Sequence, residues 1–290
     1  MIRPWLAALA LLGASACSQP DSAPSPPAKP ALWVIETPQG DTRGWLFGTA
    51  HALPDDTAWT TPVLDRAVED AGLLVVEVRN LDPQRLAAVF RKLASDEAVP
   101  PLMQRVSAGD RADLARILSQ SDTPPEGLDR LETWAAALAV ARLSGEDSGG
   151  TSVDRDLLAR FAGRPIAELE GAEHQLAIFD DLPERDQRRL LAAVIAEQQS
   201  PETNANALAE AWLAGDLGRI EKTARRGILA DPALYRALAS GRNREWSERL
   251  APMLAARKRP LVAVGAAHML GDDGLPALLA AQGYRVRRIQ

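Results

Sequence analysis

A short apolar run, Leu73–Val78, limits the folds that are open to this chain. A nearly uninterrupted run of this length is typical of a β-strand that is covered on both faces. Leu261–Val264 predicts another strand near the end of the sequence. Amphipathic segments rich in Ala, Leu and Arg occupy most of the chain between them. These features predict an α/β (α+β) protein with a mixed central β-sheet, many flanking helices and a large helical insertion.

The sequence also predicts a β-hairpin at the start of the folded region. Leu32–Glu36 and Gly44–Phe47 are strand-like, and Pro38–Asp41 between them has the composition of a turn. The other predicted elements are a helix from Pro62 to about Ala71, helices within about Pro83–Ala162 and Glu184–Arg257, a strand at Pro165–Glu170, a helix at Leu275–Gln282 and a strand at Arg285–Ile289.

Two of the three histidines end the same four-residue pattern, Gly-x-x-His. Gly48–His51 follows the second hairpin strand, and Gly265–His268 follows the strand at Leu261–Val264. A strand followed by glycine places each imidazole at the carboxyl end of a strand, where ligands bind in open α/β sheets. One such motif alone is best explained as a polar loop residue, but two of them favour a joint site.

Two glutamates lie at corresponding places on other predicted strands. Glu77 interrupts an apolar run, where a carboxylate is unfavourable unless it is paired, metal-bound or neutral. The alternative is that Glu77 lies at the strand end and meets solvent or an arginine such as Arg79. Glu170 ends its own predicted strand. If the strands are parallel, both glutamates converge with His51 and His268 at one edge of the sheet.

This set of side chains suits a divalent ion such as zinc, manganese or cobalt, with an open position for water. A bound ion would lower the pKa of that water, and a free carboxylate would take its proton. The sequence contains no Gly-x-Ser-x-Gly elbow, and its single cysteine, Cys17, lies in the leader. The expected chemistry is therefore metal-dependent hydrolysis by way of activated water.

Arg242 and Asn243 follow Gly241 at the predicted start of a long helix. An arginine at this position would hold either a substrate carboxylate or a site glutamate by two parallel hydrogen bonds. The composition favours a helix-capping role for Asn243. We interpret His174 as a surface or packing residue, and the tryptophans mostly as core or hairpin packing.

The N-terminal residues predict export. The start of the chain is positively charged, and Trp5–Ala14 is apolar but too short to span a bilayer, as in a signal peptide. Ala14–Cys17 resembles a bacterial lipobox, in which the cysteine carries the lipid; an ordinary signal cleaved near Ala16 is the alternative. We expect a lipoprotein signal peptide at 1–17, a Pro/Ser/Ala-rich tether at 18–30 and one domain at 31–290. Ser18 favours an outer-membrane lipoprotein that faces the periplasm.

The charge of the chain argues against nucleic acid as a partner. The formal net charge is −6 and the isoelectric point is near 5.3, and the arginines do not form a basic stripe. The expected partners are therefore a peptide or small-molecule substrate and, through the N-terminal lipid, a membrane. The oligomeric state is left open.

From about residue 32 to 290 the chain resembles the TraB/PrgY/GumN family, whose distant animal relatives are the Tiki proteases. The resemblance implies a metal-dependent peptidase site with His51, Glu77 and His268 at its core. Glu170, Arg242 and Asn243 are implied as additional site residues. The segments that carry the resemblance are Leu46–Pro54, Val76–Val78, Glu168–Leu176, Arg242–Trp246 and Val264–Leu275.

Two alternatives remain open beside the metal-dependent peptidase. The first is a non-catalytic envelope protein that binds a peptide, a metal or haem in the same crevice. The second is an esterase-like hydrolase whose histidine and glutamate residues work without a metal. Loss of activity on chelation would favour the peptidase, and ligand binding that survives Glu77→Gln would favour the binding protein.

Overall fold

The computed structural model describes most of the chain, but not the predicted signal peptide. Cys17 lies outside the described residues, as does His51, and only residues 27–30 of the predicted tether are described. None of the described helices is long and apolar enough to cross a membrane. The described residues are 27–50, 53–94, 99–121, 125–143, 152–200 and 205–290.

The strands of the described residues form one mixed sheet in the order β4-β3-β5-β2-β1-β6. The pair β1–β2 is the predicted antiparallel hairpin, and β6 pairs with β1 in antiparallel orientation. The four neighbours β4, β3, β5 and β2 are all parallel. The strands are β1 (Leu32–Glu36), β2 (Thr42–Thr49), β3 (Leu73–Val76), β4 (Ile166–Glu168), β5 (Pro260–Gly265) and β6 (Arg285–Arg288).

Helices occupy most of the remaining described residues, which confirms the predicted mixed α/β architecture. They are α1 (Pro62–Asp70), α2 (Pro83–Leu93), α3 (Leu102–Arg105), α4 (Arg111–Ser119), α5 (Pro125–Asp129), α6 (Thr133–Leu143), α7 (Val153–Arg160), α8 (Ala172–Asp180), α9 (Glu184–Glu197), α10 (Ala205–Leu213), α11 (Leu217–Ala224), α12 (Pro232–Tyr235), α13 (Gly241–Ala255) and α14 (Leu275–Ala281). Short 3₁₀ turns lie at Ile228–Ala230 and Ala266–Met269, and a π-helical turn lies at Arg236–Ser240.

Both faces of the sheet are covered. Helices α1, α7, α10 and α11 contribute to one core, in which the rings of Phe47, Trp59 and Trp212 lie 6.1 to 6.2 Å apart. Helices α13 and α14 contribute to the core of the other face. Because successive side chains of a strand point to opposite faces, a strand covered twice must be apolar throughout. This explains the apolar run of β3, which is buried over its whole length.

The predicted helical insertion has an apolar core of its own. Helices α2 to α6, α8, α9 and α12 and the π-helical turn contribute side chains to it. Trp134 is fully buried there, and its ring lies 5.5 Å from that of Phe90 and 6.3 Å from that of Phe179. The insertion is therefore a packed helical layer that does not depend on the sheet for its core.

Three of the predicted strands are shorter in the structure than in the sequence analysis, and the last of them, predicted up to Ile289, ends at Arg288. The strand predicted up to Val78 ends at Val76, and the strand predicted up to Glu170 ends at Glu168. Glu77 therefore lies just beyond a strand end and not within the strand. The predicted strand extended to Val78 because this residue is apolar. Val78 is indeed buried, but it lies beyond the last residue of β3.

Candidate functional site

Polar residues at the ends of the parallel strands lie close together at one edge of the sheet. Glu77 directly follows β3, Glu170 comes shortly after β4, and His268 lies in the 3₁₀ turn after β5. The backbone N–H of Glu170 donates to the carbonyl oxygen of Glu77 at 3.1 Å, which continues the pairing of the two segments beyond the strands. Parallel strands thus bring these three residues to one place, as the sequence predicted.

The described part of the first Gly-x-x-His motif, Gly48–Ala50, lies beside the second motif. The β2–β5 register pairs Thr49 with Gly265. A Cβ atom on Gly48 would lie 3.1 Å from the Cα of Ala266, so glycine allows the first motif to pack against the second. His51 itself lies outside the described residues.

Arg242 connects the acidic and imidazole groups of the site. Its Nε and Nη2 donate to the two carboxylate oxygens of Glu170, both at 2.8 Å. Nη2 also donates to Glu77 Oε2 at 2.7 Å, and Nη1 donates to the carbonyl oxygen of Leu238 at 3.1 Å. The remaining contact joins Nη1 to His268 Nε2 at 3.3 Å. Together these contacts use all five N–H groups of the guanidinium.

These contacts decide between the two roles that the sequence left open for Arg242. Burial lowers the pKa of the Arg242 guanidinium, but the hydrogen bonds and charges of Glu170 and Glu77 outweigh burial, so its pKa is raised above the ordinary value. The side chain is 12% exposed. Arg242 therefore remains charged and holds the two glutamates of its own site, and its donors are not available to a substrate carboxylate.

Glu77 accepts hydrogen bonds from three separate elements. Its Oε1 accepts from the backbone N–H of Gly265 at 2.8 Å, and its Oε2 accepts from Gln175 Nε2 at 2.9 Å and from Arg242. Glu77 was expected to be paired, metal-bound or neutral, and the structure shows that it is paired. The partner, however, is Arg242 and not the neighbouring Arg79. Sequence analysis missed Gln175, although this residue lies in a segment that carries the family resemblance.

Asn243 determines which ring nitrogen of His268 carries the proton. Nδ2 of Asn243 lies 2.8 Å from the carbonyl oxygen of Asp273 and 3.4 Å from that of His268, and only the amide N–H groups donate to such oxygens. Oδ1 therefore faces Nδ1 of His268 at 2.7 Å and accepts its proton. In the neutral imidazole, Nε2 then carries the lone pair.

The predicted helix-capping role of Asn243 is wrong. Helix α13 begins at Gly241, and Ser240 occupies the capping position. A capping side chain must lie just before the first turn, whereas Asn243 lies within that turn. Its side chain is buried against His268 instead. The sequence analysis favoured a cap because local composition does not reveal the partner of Asn243, His268, which lies 25 residues away in the chain.

Trp246 contributes to the site more directly than the sequence indicated. Its ring centroid lies 4.5 Å from that of His268, and the guanidinium carbon of Arg242 lies 4.6 Å from the Trp246 ring. Its indole N–H donates to Glu170 Oε1 at 3.0 Å. Trp246 is buried, as expected for core packing, but it also covers one side of the charged cluster.

A π-helical turn precedes the helix that carries Arg242. The backbone N–H of Gly241 donates to the carbonyl oxygen of Arg236, the i to i+5 spacing of a π-helix. A Cβ atom on Gly241 would lie only 2.7 Å from that oxygen. Leu238, whose carbonyl oxygen accepts from Arg242, belongs to the same turn. Turns of this kind are frequent at functional sites.

The described residues supply only part of the predicted metal site. Within them, no group of three or more His, Cys, Asp or Glu side chains is arranged to hold a metal ion. Zinc sites use at least three protein ligands. Glu77 and His268 are suitable donors, and the predicted third ligand, His51, lies outside the described part of the chain. The donor types fit a divalent ion, and the set is complete only with His51.

The fold and this edge define an α/β protein with a buried Glu–Arg–Glu cluster next to a histidine whose tautomer is fixed. The sequence model of the TraB/PrgY/gumN family matches residues 31–288, so the chain belongs to this family. It is 28% identical over 248 residues to the uncharacterized protein YbaP of Shigella flexneri and, over the same length, to YbaP of Escherichia coli (strain K12). Each match covers 83% of this chain and 89% of the relative. No solved structure matches the chain significantly.

Proposed function

We propose that this protein is a hydrolase of the cell envelope that acts on peptides at the edge formed by Glu77, Arg242 and His268. The observation that carries the proposal is the state of His268. Asn243 holds the proton on Nδ1, so the lone pair of Nε2 lies at the carboxyl ends of the parallel strands, where Nη1 of Arg242 approaches it at 3.3 Å. A lone pair in this position either takes a proton from water or binds a metal ion.

The two glutamates would have different roles. Glu170 accepts two hydrogen bonds from Arg242 and one from Trp246, and its side chain is only 2% exposed. We assign it to the positioning of Arg242. The side chain of Glu77 is 11% exposed and lies beside the second Gly-x-x-His motif. Glu77 is therefore the better candidate of the two for direct contact with a metal ion or with the attacking water.

A divalent ion held by His51, Glu77 and His268 belongs to this proposal. Two buried carboxylates and one guanidinium leave a net charge of −1 when His268 is neutral, which favours a cation at this edge. When bound, the ion would supply Lewis-acid activation of water. Gly265 and Gln175 orient Glu77, and Asn243 orients His268, as the partners of metal ligands usually do.

A metal-independent hydrolase is the second candidate, and one contact favours it. Nη1 of Arg242 lies 3.3 Å from His268 Nε2, so a guanidinium competes with any metal for that lone pair. In this case His268 would act as the base once Nε2 exchanges its contact with Arg242 for water, and the positive charge of Arg242 would stabilise negative charge that develops beside it.

The test compares the full chain with His268→Ala and Glu77→Gln, and uses His174→Ala as a matched control because His174 is exposed on α8. Metal content is measured by elemental analysis, and cleavage of a peptide library is followed by mass spectrometry. We expect wild type and His174→Ala to retain near-stoichiometric metal and to cleave peptides, and the two site variants to do neither.

The other outcomes distinguish the alternatives. Cleavage that needs His268 but persists without metal and in the presence of a chelator would favour the metal-independent hydrolase. Peptide binding without turnover, retained in Glu77→Gln, would contradict an enzymatic role and favour a binding protein. Equal loss of activity in His174→Ala would show that the effects do not arise at this edge.

The proposed location is the periplasmic face of the outer membrane, reached through export and a lipid on Cys17. It rests on the leader sequence, in which an apolar segment ends at a lipobox-like Ala14–Cys17.

A further inference from the structure

A charged cavity lies at the opposite edge of the sheet from Arg242. Its volume is about 340 Å³, and it is lined by Asp41, Thr42, Arg43, Arg257 and Arg259, which we call the arginine cavity. It lies where β2 and β5 begin, whereas the candidate active site lies where the parallel strands end. Its lining has a formal net charge of +2, although the whole chain has a charge of −6.

Two of the arginines adopt left-handed backbone conformations. The φ angle is 56° at Arg257 and 49° at Arg259, in a region that glycine adopts far more readily than other residues. The N–H of Arg257 donates to the carbonyl oxygen of Leu254, and that of Lys258 to the carbonyl oxygen of Met253, which is a Schellman motif at the end of α13. Glycine is the usual residue at the position of Arg257. The backbone conformation therefore does not explain why an arginine occupies position 257.

The turn that carries these arginines is held in place by close backbone contacts. A Cβ atom on Gly72 would lie 2.6 Å from the carbonyl oxygen of Lys258, and one on Gly44 would lie 2.5 Å from that of Pro260. The N–H of Gly72 also donates to the carbonyl oxygen of Arg259 at 3.0 Å. The backbone from which the arginine side chains project is therefore held in place, although the side chains of Arg257 and Arg259 are 74% and 41% exposed.

The acidic neighbours compensate the charge of the cavity without taking its hydrogen-bond donors. The ion pairs of Arg43 and Arg257 with Asp41 measure 3.7 and 4.0 Å, and that of Arg259 with Asp70 measures 3.7 Å. These distances exceed a hydrogen bond. Nε of Arg259 is buried and has no hydrogen-bond partner among the described residues. By contrast, the described residues use every donor of Arg242.

We propose that the arginine cavity is a binding site for a phosphate monoester group. A phosphate monoester carries a charge between about −1.5 and −2 near pH 7, which matches the charge of the lining. Its oxygens accept the paired N–H groups of guanidinium better than those of ammonium. The volume is within the range of sites for small ligands. The group would belong to a soluble phosphate ester or to a lipid headgroup.

The test titrates inorganic phosphate into the full chain in a neutral, phosphate-free detergent, against chloride at equal ionic strength. Arg257→Gly is the informative variant, because glycine suits the left-handed position and the melting temperature should not fall. We expect saturable binding to the wild type and binding about tenfold weaker or more in Arg257→Gly. Arg91→Gln, which removes the same charge from an exposed position on α2, should bind like the wild type.

Absence of saturable phosphate binding by the wild type would overturn the proposal, as would equal weakening in Arg257→Gly and Arg91→Gln. Competition experiments then identify the source of the group. Displacement of phosphate by micelles that contain phosphatidic acid, but not by glycerol 3-phosphate, would support a lipid headgroup. Displacement by glycerol 3-phosphate would support a soluble ester.

Discussion

Two arginines on the same helix show how burial changes the meaning of an ion pair. Arg242 is almost buried and uses all its donors within the site, whereas the side chain of Arg244 is 58% exposed and pairs with Asp273 at 3.1 Å. An exposed pair gains little because water screens it. A buried charge that loses its partner remains in a medium that solvates it poorly.

We therefore expect Arg242→Ala to lower the free energy of unfolding by about 3–5 kcal/mol, since it leaves two buried glutamates without their cation. Arg244→Ala should lower it by less than about 1 kcal/mol. Urea unfolding of both variants is the measurement. The double variant Arg242→Ala/Glu170→Gln should recover part of the loss, and equal effects of the two single variants would contradict the assigned role of Arg242.

Asn243 is expected to control the tautomer of His268. In Asn243→Leu the acceptor for Nδ1–H is lost, and only the donor of Arg242 at Nε2 still favours this tautomer, so ¹⁵N NMR of the imidazole should show a smaller fraction of the Nδ1–H form than in the wild type. The free energy of unfolding should fall by about 1–3 kcal/mol because the carbonyl oxygen of Asp273 loses its donor. Asn243→Asp retains an acceptor and should retain the Nδ1–H form. If His268 remains entirely in the Nδ1–H form in Asn243→Leu, Asn243 does not control its tautomer.

At the level of elements, the π-helical turn at Arg236–Ser240 is the unusual feature of the site. It lies directly before the helix that carries Arg242 and Asn243, and Gly241 lies where the carbonyl oxygen of Arg236 leaves no room for a side chain. Alanine normally stabilises a helix relative to glycine. At Gly241 the close contact reverses this preference.

Gly241→Ala should therefore destabilise the protein by about 1–3 kcal/mol, the range found for overpacked sites. Gly127→Ala is the matched control, because a Cβ atom on this glycine of α5 would have no neighbour within 4 Å. It should stabilise the protein by up to about 1 kcal/mol. Thermal unfolding of both variants provides the measurement. If both substitutions raise the melting temperature, the π-helical turn accommodates the added methyl group at position 241 without strain, and the prediction is contradicted.

At the level of the whole molecule, a mixed sheet carries the candidate site at one edge and the arginine cavity at the other. The N-terminal end of the described body lies on the side of the candidate site. The N–H of Gly48 donates to the carbonyl oxygen of Ala31 at 3.3 Å, so the predicted tether would join the body close to the Gly-x-x-His motifs.

The lipobox-like leader predicts that Cys17→Ser abolishes lipid attachment. Metabolic labelling with a fatty acid should mark the wild type and not the variant, and the variant should leave the membrane fraction. If the alternative holds and a signal peptide is cleaved near Ala16 without lipidation, neither the wild type nor the variant will carry the fatty-acid label.

The convergence of the site residues was predictable because it depends only on local sequence and a general property of parallel strands. Glu77, Glu170 and His268 each follow an apolar segment, and the ends of parallel strands share an edge. The contacts of Gln175 and Trp246 with the glutamates were not predictable in this way. They depend on how α8 and α13 pack against the sheet, which periodicity does not encode.

The sequence by itself determined the strands, the helix-rich insertion and the positions at which polar groups interrupt apolar segments, because these follow from burial and backbone geometry over a few residues. Only the tertiary structure decided that Arg242 pairs with both glutamates and that Asn243 orients His268. These partners are separated by 25 to 165 residues in the chain. A buried charge is satisfied by the nearest group in space, and that group is determined by packing of the whole molecule.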